Sequence, residues 1–266
     1  MSAPVLVVVE HDRGDLMPAT LEAMTIARDL ALAYDVPVEA LAVGDVAART
    51  VDRLGEFGAG VVHLVTDELL TDYGPEIWAD CVTQAVRSLA PSMVIATGTD
   101  RGNEIMAGVA ARLDAPFAAN CIDVRPTEGG ADLTRVRWGG SLLEQARLDA
   151  ETPLVTIAHH SIEPVPAVAP SAAVISSLPV EIDRALTRSM VTGRVERTAG
   201  VTLATAPVVV GGGRGVGSAE GFSALETLAS TLGGVVGCSR AVTNNGWRNH
   251  ADQVGQTGTR IAPDVY

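Results

Sequence analysis

Three short segments in the last fifth of the chain combine glycines with polar or cationic side chains. The first is an apolar run that ends in Gly211-Gly212-Gly213-Arg214 and continues to Ser218. Consecutive glycines permit a positive φ and let a ligand approach the backbone closely. A strand that feeds such a turn and then a helix start is typical of α/β sheets that hold an anionic cofactor. The spacing departs from G-x-G-x-x-G at Val216, so a phosphate-binding turn and a merely tight strand-to-helix connection are about equally favoured.

The other two segments add groups that could bind the same ligand. Arg240 follows Gly237-Cys238-Ser239, and the segment 253–258, Gln-Val-Gly-Gln-Thr-Gly, has little hydrophobic periodicity. An arginine at a strand end can pair with a pyrophosphate or lie on a planar ring. The 253–258 loop offers backbone N–H groups and a hydroxyl, although it also fits a polar surface turn. A lone arginine is more often solvated, and the presence of Arg214 and Arg240 at successive strand ends shifts the balance modestly toward a binding role.

Several other chemistries are excluded or disfavoured by residue type. All 19 basic residues are arginines, so no Walker lysine and no lysine Schiff base can form. The cysteines Cys81, Cys121 and Cys238 lack a C-x-x-C spacing, which indicates neither a disulfide framework nor a zinc site. Adjacent side chains on an extended chain point to opposite faces, so we expect the pair His159-His160 to be exposed rather than metal-binding.

Composition and charge limit the class of partner. The 266 residues are 47% hydrophobic and carry a net charge of −13. This acidity argues against nucleic acid and against anionic membrane surfaces. We find no signal peptide and no apolar run long enough to span a bilayer, and the scattered cysteines fit a reducing compartment. A cytoplasmic location is the expectation.

Strands and helices alternate through the N-terminal part of the chain. Strands are predicted at 5–9, 38–43, 60–65 and 93–97, and helices at 16–34, 47–57, 75–89 and 103–113. This alternation predicts a parallel sheet covered on both faces by helices. Further strands predicted at 121–124, 133–138 and 154–157 complete the domain.

A proline-bearing stretch separates this domain from a second α/β unit. Residues 161–179 contain four prolines among small residues, which is typical of a linker. The second unit is predicted to contain a strand at 207–210, a helix at 218–232 capped by Ser218, and a strand at 235–236. The predicted organisation is therefore an N-terminal α/β domain at 1–160, a linker at 161–180 and a C-terminal α/β domain at 181–266.

Taken together, these residues resemble the α subunit of electron transfer flavoproteins, and the resemblance covers most of the chain. It is strongest in G-G-G-R-G-V-G-S at 211–218, C-S-R-A-V at 238–242 and D-Q-V-G-Q-T-G at 252–258. The last of these motifs is highly specific. The stretch V-L-V-V-V-E-H at 5–11 and Trp138-Gly139-Gly140 also look like family features.

The resemblance implies a heterodimer whose β subunit carries AMP and an FAD held mainly by the C-terminal domain of this chain. By analogy, Arg240 lies against the isoalloxazine and Thr257 hydrogen-bonds the flavin near N5. The full implied set of FAD contacts is Arg214, Ser239, Arg240, Val254, Gly255, Gln256 and Thr257. A fixed cation beside the ring stabilises negative charge on the reduced flavin and so raises its potential.

The family role that follows is electron transport without turnover of a small molecule. Electrons would come from flavin dehydrogenases, such as the acyl-CoA dehydrogenases of fatty acid oxidation, and pass to a membrane quinone oxidoreductase. Two alternatives stay open. The chain could be a structural docking subunit with weak or lost FAD binding. Its residues 1–160 could instead bind an adenine nucleotide, although the segment 10–14 is acidic and has a single glycine.

The chain departs from the family pattern in its C-terminal domain. The family domain continues beyond Asp264-Val265-Tyr266 with segments that supply the remaining flavin and adenosine contacts. We therefore expect the FAD-binding domain to be incomplete in this chain, through truncation or because a partner completes the fold. Cys238 also stands where the family usually has alanine, and Asn244-Asn245 replace a more usual Asp-Ala.

Overall fold

A computed structural model describes residues 3–170, 172–193 and 201–266 of the chain. Two compact units are present, an N-terminal unit, Met1–Arg194, and a C-terminal unit, Val195–Tyr266. Both mix helices with parallel strands, which confirms the predicted α/β class. No helix of the described ranges is long and apolar enough to cross a membrane.

The N-terminal unit begins with alternating strands and helices. In chain order these are β1 (Val5–Val8), the small hairpin β2 (His11–Asp12) and β3 (Asp15–Leu16), α1 (Pro18–Tyr34), β4 (Val38–Val43), α2 (Val51–Glu56), β5 (Val61–Val65), α3 (Pro75–Leu89), β6 (Met93–Gly98) and α4 (Asp100–Leu113). Strands then predominate: β7 (Phe117–Thr127), β8 (Gly130–Arg137), β9 (Leu142–Asp149), β10 (Leu154–Ala158) and β11 (Val174–Ser177).

Nine of these strands form one sheet in the order β11-β5-β4-β1-β6-β10-β7-β8-β9. The pairs from β11 to β7 are parallel, and β8 and β9 add an antiparallel end. Alternate residues of β1 enter opposite cores, because successive side chains of a strand point to opposite faces. Val5 and Val7 pack in the core with α1, whereas Leu6 and Val8 pack in the core with α3 and α4.

Local signals account for the helix boundaries. Pro75 occupies the first turn of α3, where its fixed φ favours a helix start and its missing N–H costs nothing. Thr99 caps α4, and its hydroxyl accepts a hydrogen bond of 3.0 Å from the Gly102 N–H. This cap starts α4 at Asp100, three residues before the predicted start. A Cβ at Gly102 would stand 2.0 Å from the Thr97 carbonyl oxygen, so the turn requires glycine.

The stretch predicted to be a linker contains a strand of the large sheet in the structure. Residues 174–177 form β11, which pairs in parallel with β5 at the edge of the large sheet. Leu178, Leu186 and Met190 then pack against the core beneath α3. Residues 172–193 therefore belong to the N-terminal unit, whereas the prediction placed a linker at 161–180 and the start of the second domain at 181. The physical reason is that apolar residues follow the prolines, and they pair with the edge strand β5 and pack against the core. Residues 194–200, inside the predicted C-terminal domain, lie outside the described residues.

The C-terminal unit is smaller and is built around two parallel strands. It contains β12 (Val209–Gly212), α5 (Phe222–Thr231), β13 (Val235–Cys238) and α6 (Arg240–Asn244), with 3₁₀ turns at Arg214–Val216 and His250–Asp252. One core cluster in this unit contains five buried apolar residues, Phe222, Ala229, Val236, Cys238 and Val242.

Helix α5 begins later than predicted. It begins at Phe222 rather than at 218, because the residues after the three glycines first form the 3₁₀ turn Arg214–Val216. The Ser218 hydroxyl accepts from the Gly221 N–H, before the helix begins. Leu228, in the last turn of this helix, and Leu232, just after its end, are about half exposed.

Candidate functional site

The strands of the C-terminal unit all end at one edge of its small sheet. Strand β12 pairs in parallel with β13, with Gly212 opposite Cys238. Cys238 in turn forms a parallel bridge with Gln253. The Ser239 N–H donates to the Gly212 carbonyl at 3.0 Å, and the Val254 N–H donates to the Cys238 carbonyl at 2.9 Å. The three segments that follow these strands therefore leave the sheet side by side.

We call these three segments the carboxyl edge: Gly213-Arg214, Ser239-Arg240 and Val254-Gly255-Gln256-Thr257. All seven residues predicted to bind the cofactor lie on it. The side chains of Arg214, Ser239, Arg240, Gln256 and Thr257 are exposed, and Val254 and Gly255 are half-buried. The carboxyl edge therefore presents two guanidinium groups and two hydroxyls to solvent, where open parallel sheets bind ligands.

The glycines before and on the carboxyl edge divide into two kinds. A Cβ at Gly211 would stand 2.5 Å from the Tyr266 hydroxyl oxygen, and one at Gly212 would stand 2.3 Å from the Phe222 ring. Glycine is needed at these two positions because the neighbouring aromatic side chains occupy the space that a Cβ would take. At Gly213, Gly215 and Gly217 a Cβ would meet no atom within 4 Å. Open space at these positions lets a large ligand approach the backbone of the turn.

The 253–258 loop turns through two residues with positive φ, Gly255 at 70° and Gln256 at 53°. The Gly258 N–H donates to the Gly255 carbonyl at 2.8 Å and closes the turn. A Cβ at Gly258 would stand 2.3 Å from the Gln253 carbonyl oxygen, so this position has no room for a side chain. The loop is thereby held in one shape, with Gln256 and Thr257 at its tip.

The buried side-chain amide of Gln253, whose role the sequence did not reveal, holds this loop in place through hydrogen bonds. The Gln253 side chain is 1% exposed. Its Nε2 donates to the Gly255 carbonyl and to the Thr257 hydroxyl, each at 3.3 Å, and its Oε1 accepts from the Thr243 hydroxyl at 2.8 Å. The motif contains Gln253, but its sequence spacing does not reveal that Thr243 on α6 completes the contact.

Arg248 is a second residue that the sequence analysis did not single out. Its guanidinium donates to Asp252 at 3.0 Å and to Glu226 of α5 at 2.6 Å, and it lies over the Phe222 ring. Burial opposes its charge, yet the hydrogen bond that it donates to Glu226 and the charge of Asp252 raise the pKa of Arg248 above its ordinary value. Arg248 therefore ties α5 to the segment that leads into the 253–258 loop, whereas Arg214 and Arg240 face solvent.

The corresponding edge of the N-terminal unit is already filled by protein side chains. The buried Glu10 carboxylate accepts hydrogen bonds from the hydroxyls of Thr97 and Thr99. The neighbouring cavity, lined in part by His11 and Tyr73, measures about 20 Å³. That volume holds about one water molecule. A nucleotide phosphate would meet a carboxylate and lack space, which argues against the adenine-nucleotide alternative.

Fold and carboxyl edge together define a two-unit α/β protein whose C-terminal unit has an open parallel sheet edge of the kind that binds ligands in other α/β proteins. Comparison with known proteins assigns it more closely. The family model of the electron transfer flavoprotein domain matches residues 5–183, and that of the electron transfer flavoprotein FAD-binding domain matches residues 202–266.

Two similar proteins match nearly the whole chain. The electron transfer flavoprotein subunit alpha of Mycobacterium tuberculosis is 35% identical over 264 residues, which cover 99% of this chain and 81% of that protein. Protein FixB of Bradyrhizobium diazoefficiens is 34% identical over 272 residues, covering 98% of this chain and 73% of the relative. The chain belongs to the electron transfer flavoprotein alpha-subunit family. This membership gives it an electron transfer role and indicates a flavin cofactor.

The carboxyl edge fits that cofactor in its donor chemistry. Guanidinium groups match the negative charge of a pyrophosphate or a reduced ring. Backbone N–H groups and the Thr257 hydroxyl can donate to ring carbonyls and nitrogens. The open space at Gly213, Gly215 and Gly217 leaves the backbone accessible to a ligand of that size.

Proposed function

We propose that this chain is the FAD-binding alpha subunit of a heterodimeric electron transfer flavoprotein. The contacts would be made by Arg214, Ser239, Arg240, Val254, Gly255, Gln256 and Thr257. The observation that carries the proposal is the parallel pairing of Gly212 with Cys238 and of Cys238 with Gln253. That pairing supports a single binding surface formed by residues up to 44 positions apart (from 213 to 257).

Arg240 and Thr257 would govern how the cofactor takes up charge. FAD supplies the redox chemistry when bound. Arg240 opens α6 with an exposed guanidinium, which would lie against the isoalloxazine and offset negative charge on it. The Thr257 hydroxyl would donate near N5, and Gln253 keeps that hydroxyl in place. Arg214 would pair with the cofactor's phosphates.

The partners follow from the same proposal. A beta subunit carrying AMP would complete the heterodimer. Flavin dehydrogenases, such as acyl-CoA dehydrogenases, would deliver electrons, and a membrane quinone oxidoreductase would accept them. The net charge of −13 supports protein partners with basic docking surfaces rather than nucleic acid.

Co-purification with the beta subunit and a visible spectrum test the proposal. We expect a yellow heterodimer with one FAD in this subunit. In Arg240→Ala, loss of a nearby cation worth about 1–2 kcal/mol lowers the two-electron potential by roughly 20–40 mV. Removal of an exposed arginine of the N-terminal unit, Arg188→Ala, is the matched control and leaves the potential unchanged.

Two results would count against this function. A heterodimer that stays colourless and takes up no added FAD supports the docking-subunit alternative instead. A potential that is the same in Arg240→Ala, Arg188→Ala and the unaltered protein places the flavin away from Arg240 and refutes the proposed contact.

A further inference from the structure

A cluster of three metal-ligating side chains lies in the N-terminal unit, well separated in sequence from the carboxyl edge. It consists of Glu22, His159 and His160, whose ligand atoms all lie within 4.8 Å of one another. We propose that these residues bind a divalent first-row transition metal ion of the Zn²⁺ type. Nothing in the proposal depends on the flavin.

The local backbone brings the two histidines together. The chain turns directly after β10, and the Ser161 N–H donates to the Ala158 carbonyl at 3.2 Å across the turn. His160 takes a positive φ of 61° at the third position of this turn. On an extended chain the two adjacent side chains would diverge, as the sequence predicts. In the turn the two imidazole rings instead stack, with centroids 3.6 Å apart and planes 23° apart.

A helix from the other end of the unit supplies the carboxylate. Glu22 lies in the second turn of α1, and its Oε1 is 3.7 Å from Nε2 of His159. Two donor atoms that share a tetrahedral zinc ion at about 2.1 Å stand about 3.4 Å apart. The separation of this pair is close to that value. Because the lone pair of an imidazole nitrogen lies in the plane of its ring, the two stacked rings must also rotate before both nitrogens face one ion.

The donor atoms of the cluster suit a transition metal ion. The Glu22 side chain is 6% exposed and that of His159 is 28% exposed. Two neutral imidazoles and one carboxylate form a donor set that suits Zn²⁺, Co²⁺ or Ni²⁺ and leaves a coordination position open. The hard cations Mg²⁺ and Ca²⁺ prefer oxygen ligands and fit this set poorly.

Calorimetric titration of the chelator-treated full chain with Zn²⁺ at pH 7.5 tests the site. We expect one tightly bound equivalent, visible d–d bands when Co²⁺ replaces Zn²⁺, and no comparable binding of Mg²⁺. Zn²⁺ should also raise the melting temperature, because an ion that binds only the folded state stabilises it.

Substitutions of the three ligands separate this site from adventitious binding. Glu22→Gln, His159→Gln and His160→Asn each weaken Zn²⁺ affinity by about tenfold or more and remove the Co²⁺ bands. Asparagine tolerates the left-handed conformation, so His160→Asn retains the turn. His250→Gln, which alters an exposed histidine of the C-terminal unit, leaves the affinity unchanged.

The proposal is overturned if the unaltered chain binds no Zn²⁺, since the cluster is then an ion pair between histidine and carboxylate. It is also overturned if the ligand variants, shown by circular dichroism to be folded without metal, bind Zn²⁺ as tightly as the unaltered chain.

Discussion

Gln253 and Gln256 are both glutamines of the 253–258 loop, but their environments give them different tasks. Gln253 is buried, and its amide holds Thr243, Gly255 and Thr257 through three hydrogen bonds. Gln256 is exposed at the loop tip with a positive φ. The first residue supports the shape of the loop, and the second faces the proposed cofactor.

We predict opposite effects when each is changed to alanine. Gln253→Ala removes three hydrogen bonds and the contact that holds the Thr257 hydroxyl, which lowers the free energy of unfolding of the C-terminal unit by about 2 kcal/mol. Gln256→Ala changes that free energy by less than about 0.5 kcal/mol and weakens FAD binding instead. Urea unfolding followed by Trp247 fluorescence, together with FAD titration, measures both quantities. Equal stability of the two variants would contradict the assigned role of Gln253.

At the scale of elements, the hairpin of β2 and β3 joins the sheet through one buried imidazole. His11 is 4% exposed, and its Nε2 contacts the Val43 carbonyl at 2.8 Å. Its Nδ1 accepts the Gly14 N–H at 3.1 Å, which requires that nitrogen to be unprotonated. Burial lowers the pKa of His11 below its ordinary 6.5, although the bond to Val43 and the charge of Asp12 oppose the shift.

This lowered pKa predicts acid sensitivity of the N-terminal unit. The unfolded chain takes up the proton at pH about 6.5, before the folded protein does. The stability that neutral His11 contributes is therefore fully present above pH 6.5 and is lost as the pH falls through the folded-state pKa, by at most about 1.4 kcal/mol per pH unit. In His11→Asn, the unfolding free energy should differ less between pH 7.5 and pH 5.5 than it does in the unaltered protein.

Urea titrations at the two pH values measure this slope, and His250→Asn serves as the control because His250 is exposed. If His11→Asn retains the full slope of the unaltered protein, another group causes the acid sensitivity.

The elements that could be predicted from sequence are those whose start residue and apolar pattern lie within the element itself. Helix α3 begins at Pro75 and ends at Leu89 as predicted, because a proline start and a regular apolar stripe coincide there. Strand β9 was not predicted, since Leu142 and Leu143 are exposed and the strand lacks a buried apolar run. Strand β11 was hidden by the prolines that precede it. Its pairing with β5 depends on a sheet edge that no local pattern reveals.

For the candidate site, sequence reasoning could indicate which segments meet but not how each is supported. Parallel strands share a carboxyl edge, so Arg214, Arg240 and the 253–258 loop could be placed together from the motif order alone. The support of Thr257 by Gln253 depends on a packed turn, and it requires coordinates. The same holds for His159 and His160, where one positive φ reverses the expectation for an extended chain.

At the scale of the whole molecule, the two units differ in how much apolar surface they bury. The sheet of the N-terminal unit is covered on both faces, with one core around α1 and another around α3 and α4. The C-terminal unit buries five apolar residues together, and much of α5 faces solvent. Burial of apolar surface is the main stabilising term in folding, and small cores leave marginal stability.

We therefore predict that the C-terminal unit unfolds at a lower urea concentration than the N-terminal unit. The chain has three tryptophans, and Trp247 is the one in the C-terminal unit, whereas Trp78 and Trp138 lie in the N-terminal unit. An early fluorescence transition should appear in the unaltered chain and vanish in Trp247→Phe. FAD at 100 times its dissociation constant should stabilise the early transition by about 2.7 kcal/mol and leave the later one in place. A single transition, reported alike by both proteins, would show that the units unfold together and would contradict the ranking by core size.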